Sequence, residues 1–210
     1  GFPPPPEYRI HIGNWQAWVA QCQKWRQRYP VVLPEYAEQT RYINSYHFID
    51  VLAQVLMPDD VVVTDMGFAF QNTHQAFRVK AGQRVFTNCG LASMGWGLPA
   101  ALGACFARAQ KRTVCIAGDG GFMMNLQELA TVMHHQLPIK LFILNNDGYL
   151  TIEQTQQSGF EGRLMGCGSN SGLSFPDFMA IAQAHRIRSL RLNSPENLRQ
   201  HLEDIMAYEG

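Results

Sequence analysis

The chain has 210 residues, enough for one α/β domain with a full core, and 46% of them are apolar. Its 17 Lys and Arg balance its 17 Asp and Glu with no basic run, so a nucleic-acid or anionic-membrane partner has no electrostatic support. The five cysteines form no CxxC, no apolar run approaches the ~20 residues of a membrane span, and GFPPPPEYRI lacks the regions of a signal peptide, which together predict reduced thiols and a cytoplasmic protein.

Four prolines, residues 3–6, read as a linker. Asn14 is placed to cap a helix through Tyr29 that carries Trp15, Trp18, Cys22, Trp25 and Tyr29 on one stripe, a pattern that marks packing surface. Residues 30–44 read as irregular, so residues 1–44 are expected to form a linker and helix of a preceding region, and residues 45–210 the domain proper. Ser45 is the expected cap of a helix through Leu56, and the all-β-branched VVVT opens the sheet as a strand buried on both faces. A short strand at residues 84–86 leads into TNCGLASMGWGLPAALGACFARA, where glycines 90, 95, 97 and 103 let a helix approach sheet and ligand closely. Residues 111–117 supply the next strand.

Residues 118–148, GDGGFMMNLQELATVMHHQLPIKLFILNNDG, read as strand end, glycine turn, helix, strand and polar turn, one βαβ unit. Right-handed crossovers bring both strand ends to one edge, so Asp119 and Asn146 are predicted to face one another there. A carboxylate, an amide oxygen and the free N–H groups of Gly118, Gly120 and Gly121 at a helix start suit a hard divalent cation with a diphosphate. Lys140 is the only Lys or Arg in residues 113–150, so a metal would have to neutralise the phosphates, and no GxxxxGK[ST] loop is present. A dinucleotide fingerprint is the nearest rival, but GDGGFM lacks its third glycine and two asparagines stand where its strand-end acid belongs. Asn125 is the expected cap of the intervening helix, with Glu128 completing a capping box. His134 and His135 are adjacent, should point to different faces, and read as helix-end residues.

After Gly148 a helix is expected from Tyr149, then a glycine-rich loop at 157–172 that moves in the absence of substrate, with Arg163 as its one base. Ser174 should cap a helix at 175–185, residues 187–192 should form a last strand, and Ser194 with Pro195 should open a closing helix. The alternation predicts an α/β fold, a three-layer doubly wound sheet, mostly parallel, with helices on both faces. A strand should follow the closing helix, so the chain is expected to be part of a longer enzyme.

GDG, 24 residues and NN resemble the thiamin-diphosphate signature of the acetolactate synthase and pyruvate decarboxylase superfamily, and GLASMGWGLPAALGA is similar to its glycine-rich segment. The resemblance implies a C-terminal diphosphate-binding domain with Mg²⁺ held by Asp119, Asn146 and the Gly148 carbonyl. It places Gly67, Phe68 and Ala69 on the diphosphate, the Ala92 carbonyl on the 4′-amino group, and Met94 as the wedge that bends the cofactor. Tyr149 then begins a helix along the cofactor. Ile152 stands where pyruvate decarboxylases carry a glutamate and acetolactate synthases an apolar residue, with Glu153 one position on. An acetolactate synthase-like carboligase acting on pyruvate or another 2-keto acid is the leading expectation. A 2-keto acid decarboxylase and a non-catalytic assembly module are the alternatives. The activating glutamate would come from the pyrimidine-binding domain of a second subunit in a homo-oligomer, a dimer or tetramer. This chain alone would be inactive, and any FAD would belong to a middle domain.

Overall fold

The computed structural model describes residues 15–210; Asn14 and the proline run lie outside the described residues. Four strands, Val61–Thr64 (β1), Arg84–Phe86 (β2), Thr113–Gly118 (β3) and Ile139–Leu144 (β4), form one sheet ordered β2-β1-β3-β4, with every neighbouring pair parallel. Chain order therefore runs outward one way from β1 to β2, then jumps back across β1 to β3 and continues to β4. Crossovers of one hand moving in opposite directions must lie on opposite faces of the sheet. That geometry accounts for the three layers.

On one face Val62, Val114, Ile116 and Phe142 meet three helices, Ser45–Val55 (α2), Phe68–Ala76 (α3) and Leu198–Ala207 (α9), through Phe48, Ile49, Leu52, Ala69, Leu202 and Met206. The Phe48 and Phe142 rings meet edge to face at 5.4 Å. On the other face Val61, Val63, Cys115 and Ala117 meet Gly97–Ala107 (α4) and Leu129–His135 (α6) through Leu98, Ala101, Leu102, Cys105, Leu129 and Val132. Successive strand residues thus face opposite layers, and both layers are apolar. The remaining helices are Trp15–Arg28 (α1), Asp119–Met123 (α5), Leu150–Gly159 (α7) and Phe178–Ala184 (α8). The aromatic stripe of α1 is exposed, with Trp18 and Trp25 edge to face at 5.5 Å. Residues 30–44 include a 3₁₀ turn, Pro34–Glu38, and Tyr36 stacks on Tyr46 of α2 at 6.0 Å.

Helix ends depart from expectation, because a cap depends on backbone angles that residue type only biases. Asn44, not Ser45, caps α2, its Oδ1 accepting the Tyr46 N–H at 2.9 Å, while Ser45 Oγ accepts from Asn72 at 2.6 Å. Asn125 caps nothing: its amide donates to the Gly95 carbonyl at 2.7 Å, and a 3₁₀ turn, Leu126–Glu128, leads into α6. Asp177 rather than Ser174 caps α8, and α9 starts three residues late, after Asn197 at φ 55°. The His134 and His135 rings do not diverge but meet edge to face at 4.7 Å. Residues 187–192 join no ladder and form no strand; Ile187 packs on the α4–α6 layer and Leu192 on the α2–α9 layer. Their apolar side chains are used in packing without backbone pairing.

The amino-terminal edge of the sheet gathers the buried cation chemistry. Arg112 holds the Asp60 carboxylate with two nitrogens and donates to the Met206 carbonyl at 2.9 Å. Lys140, paired with Val114 in the ladder, donates to the carbonyls of Tyr208 and Gly210. These contacts and Leu202 fasten α9 to the domain. Leu202→Ala is expected to cost about 3 kcal/mol in urea unfolding, the usual result of opening a cavity at a fully buried leucine.

Burial, with the Arg112 charge added, holds the Lys140 ammonium below its ordinary 10.5. The folded chain therefore binds this proton less readily than the unfolded chain. The penalty is full below the depressed folded value and fades as pH rises from there to 10.5. Stability should climb across that interval in wild type relative to Lys140→Met, read as the difference between their urea midpoints against pH.

Candidate functional site

The sheet order reverses between β1 and β3, and the crevice outside their carboxyl ends is where open α/β sheets bind ligands. Asp119 directly follows β3 and is 2% exposed. Its Oδ1 accepts the Gly120 N–H at 2.7 Å, and its Oδ2 accepts the N–H groups of Asn146 at 2.9 Å and Gly148 at 3.3 Å. The two sequence segments thus meet, although contact runs through the Asn146 backbone and leaves its side chain exposed. Asp147 turns the chain there at φ 60°. Burial pushes the Asp119 carboxyl up from its ordinary 3.8, opposed by the N–H groups of Gly120, Asn146, Gly148 and Asp147.

No ion pair reaches Asp119 among the described residues. Nor do the described residues contain three or more His, Cys, Asp or Glu grouped as a metal cage. A buried carboxylate without a cation, ringed by backbone donors, fits one hard divalent ion that takes its other oxygens from amide, carbonyl and ligand phosphate. Lys140, at the opposite end of the sheet, offers no compensation there.

Gly148 is bridged to Gly168, and the Tyr149 N–H donates to the Cys167 carbonyl at 2.7 Å. A side chain at Gly148 would lie 2.5 Å from that carbonyl oxygen, so the close approach demands glycine. The Tyr149 ring lies over Gly120 and meets Phe175 edge to face at 5.8 Å. The loop read as irregular is therefore strapped to the polar turn, and it contains a 3₁₀ turn, Ser169–Ser171, whose Ser171 Oγ accepts from the Cys167 and Gly168 N–H groups. On α7, Ile152 is 40% exposed, and the Glu153 carboxylate accepts from Gln157 at 3.1 Å. Arg163 is exposed on the loop. A wide hollow of about 530 Å³ beside α8, lined by Asp177, Met179, Gln183 and Arg186, shares no residue with this site.

Gly67, at φ 69°, turns the chain directly into α3, so Phe68 and Ala69 form a helix first turn rather than a loop. Their N–H groups are among those a helix leaves without partners. The Ala69 side chain is buried in the α2–α9 layer, leaving only its backbone for a ligand. Ala92 adopts φ 52°, an uncommon conformation for a residue with a Cβ, and Met94 is half-buried beside it. Sequence reasoning missed Asp65. This residue, 1% exposed and directly after β1, accepts the N–H groups of Met66 at 2.6 Å, Gly95 at 3.1 Å and Gly97 at 2.9 Å. A carboxylate immediately following a fully buried, all-β-branched strand was the signal that could have found it.

The family model of the thiamine pyrophosphate enzyme, C-terminal TPP binding domain, matches residues 65–210. Acetolactate synthase large subunit of Pyropia yezoensis is 34% identical over 209 residues, covering 100% of this chain and 33% of that protein. The large subunit from Cyanidium caldarium is 33% identical over 93% of the chain and 32% of its own length. Acetolactate synthase isozyme 2 large subunit of Escherichia coli (strain K12) is 36% identical over 72% of the chain and 27% of its own length. The chain spans about a third of the length of such relatives. With the family match running from the end of β1 through both halves of the crevice, the chain belongs to the thiamine pyrophosphate enzymes, as their C-terminal TPP-binding domain.

Proposed function

We propose that the chain binds Mg-thiamin diphosphate as the C-terminal half-site of an acetolactate synthase-like carboligase that decarboxylates pyruvate or another 2-keto acid and joins the fragment to a second carbonyl. The observation that carries this reading is the meeting of Asp119 with the 146–148 turn, 2.9 Å from Oδ2 to the Asn146 nitrogen, at the switch point of the sheet. On this reading Asp119, the Asn146 side chain and the Gly148 carbonyl hold the metal. The N–H groups of Gly121 in α5 and of Phe68 and Ala69 in α3, together with the backbone of Gly67, Gly118 and Gly120, receive the diphosphate. The Ala92 carbonyl and Met94 receive the pyrimidine side.

The cofactor, when bound, supplies the electron sink for cleaving a 2-keto acid. This chain's contribution is to bind, orient and exclude water. Ile152 supports the carboligase reading because its exposed apolar side chain stands on the first turns of α7, whereas Glu153 is engaged by Gln157. An apolar wall without a proton donor disfavours simple protonation and leaves the fragment for a second carbonyl. The ring-activating glutamate belongs, in this proposal, to the pyrimidine-binding domain of a second subunit of a cytoplasmic homo-oligomer. Residues 45–210 are then the diphosphate-binding domain, and residues 15–44 lead in from the preceding region. No described helix is long and apolar enough to cross a membrane.

Calorimetric titration of thiamin diphosphate into the assembled enzyme tests the proposal. Binding should require Mg²⁺, be abolished by EDTA, and weaken by at least about 100-fold in Asp119→Ala, beyond what loss of a supporting contact costs a metal site. Binding that is indifferent to both EDTA and Asp119 would refute it.

A further inference from the structure

We propose that Asp65 is a positioning residue for Met94: its carboxylate grips Gly95 and Gly97 and so sets the backbone from which Met94 projects toward the cofactor. The inference rests on the reading of Met94 as the cofactor-bending wedge. Asp65 forms no ion pair among the described residues, so its charge is compensated by three backbone N–H groups. Two of those donors flank Trp96, and the first of them, Gly95, directly follows Met94. Gly97 is the first residue of α4, so its N–H has no partner within the helix and depends on the carboxylate.

The grip is two-sided. Gly95, at φ 81°, gives its N–H to Asp65, and its carbonyl accepts from the Asn125 amide at 2.7 Å. The peptide units on both sides of Gly95 are thereby held, including the one that joins it to Met94. Asp65 is itself anchored to β3, its N–H donating to the Ile116 carbonyl at 2.8 Å.

The same carboxylate explains glycines that ligand approach would otherwise be asked to explain. A Cβ on Gly97 would lie 2.9 Å from the Asp65 Cβ, and one on Gly121 would lie 2.7 Å from Asp65 Oδ1. Asp65 therefore touches both the segment carrying Met94 and the GDGG turn carrying Asp119. The two halves of the proposed cofactor site share one buried support.

Amide hydrogen exchange followed by NMR, on wild type and Asp65→Asn, tests this without cofactor. Asparagine keeps one acceptor oxygen but turns an NH₂ group toward Gly95 or Gly97, donor against donor. In wild type the Gly95 and Gly97 amides should exchange slowly beside fast Ser93 and Met94 amides. Equal, fast exchange at all four would overturn the proposal even if the variant does not fold. Asp65→Asn should lose about 10- to 100-fold of protection at Gly95 or Gly97, the equivalent of one charge-assisted hydrogen bond. In the assembled enzyme it should weaken Mg-thiamin diphosphate by about tenfold or more, as losing a supporting contact does. A variant with a lower melting temperature but unchanged cofactor affinity and unchanged Gly95 and Gly97 protection would mark Asp65 as merely structural and overturn the proposal. Slow Gly95 and Gly97 amides in a wild-type enzyme that binds no cofactor would support the grip while overturning the cofactor reading.

Discussion

Two carboxylates, Asp65 and Asp119, are buried at the carboxyl edge of the sheet with no cation paired to either among the described residues. An isolated buried charge costs several kcal/mol unless hydrogen bonds replace the lost water. Here the replacement is backbone: at least three N–H groups converge on each. Donors can converge that tightly only where main chain passes main chain without intervening side chains. The glycines at 97 and 121 around Asp65, and at 148 against Cys167, follow from that crowding. The local sequence is thus shaped by the need to solvate two anions with peptide groups.

Sheet topology puts both anions in one crevice. With order β2-β1-β3-β4, β1 and β3 are neighbours although α3, β2 and α4 separate them in the chain. The residue after β1 and the residue after β3 therefore emerge side by side, and the crossovers leave to opposite faces rather than covering the edge. A ligand entering there meets the N–H groups at the starts of α3 and α5 and a carboxylate whose burial already disfavours its charge without a metal.

Charge is divided between the two ends of the sheet. Arg112, Asp60 and Lys140 work at the amino-terminal edge, where they hold the Met206, Tyr208 and Gly210 carbonyls and secure α9. The carboxyl edge is left to glycine, amide and carboxylate. A family member that neutralises phosphate with a metal has no need of a lysine in its crevice, and the buried lysine of this chain instead holds the Tyr208 and Gly210 carbonyls at the opposite edge.

The sequence by itself determined the alternating α/β order, the parallel sheet and the family. Strand and helix patterns are local, and the GDG and NN elements stand at the ends of apolar strands whose partners parallel topology then prescribes. It also named Asp119 and Asn146 together, since one βαβ unit places both. What it did not contain was the set of contacts between distant segments. Asp65 bonds to Gly95 and Gly97, Asn125 bonds to Gly95 rather than capping its own helix, and Gly168 pairs with Gly148. Residues 187–192 have the composition of a strand but no ladder partner. Residue type biases such outcomes weakly, because each was decided by which backbone groups were left unsatisfied once the layers had packed. Local pattern set the elements, and the need to satisfy buried polar groups across the crevice set the site.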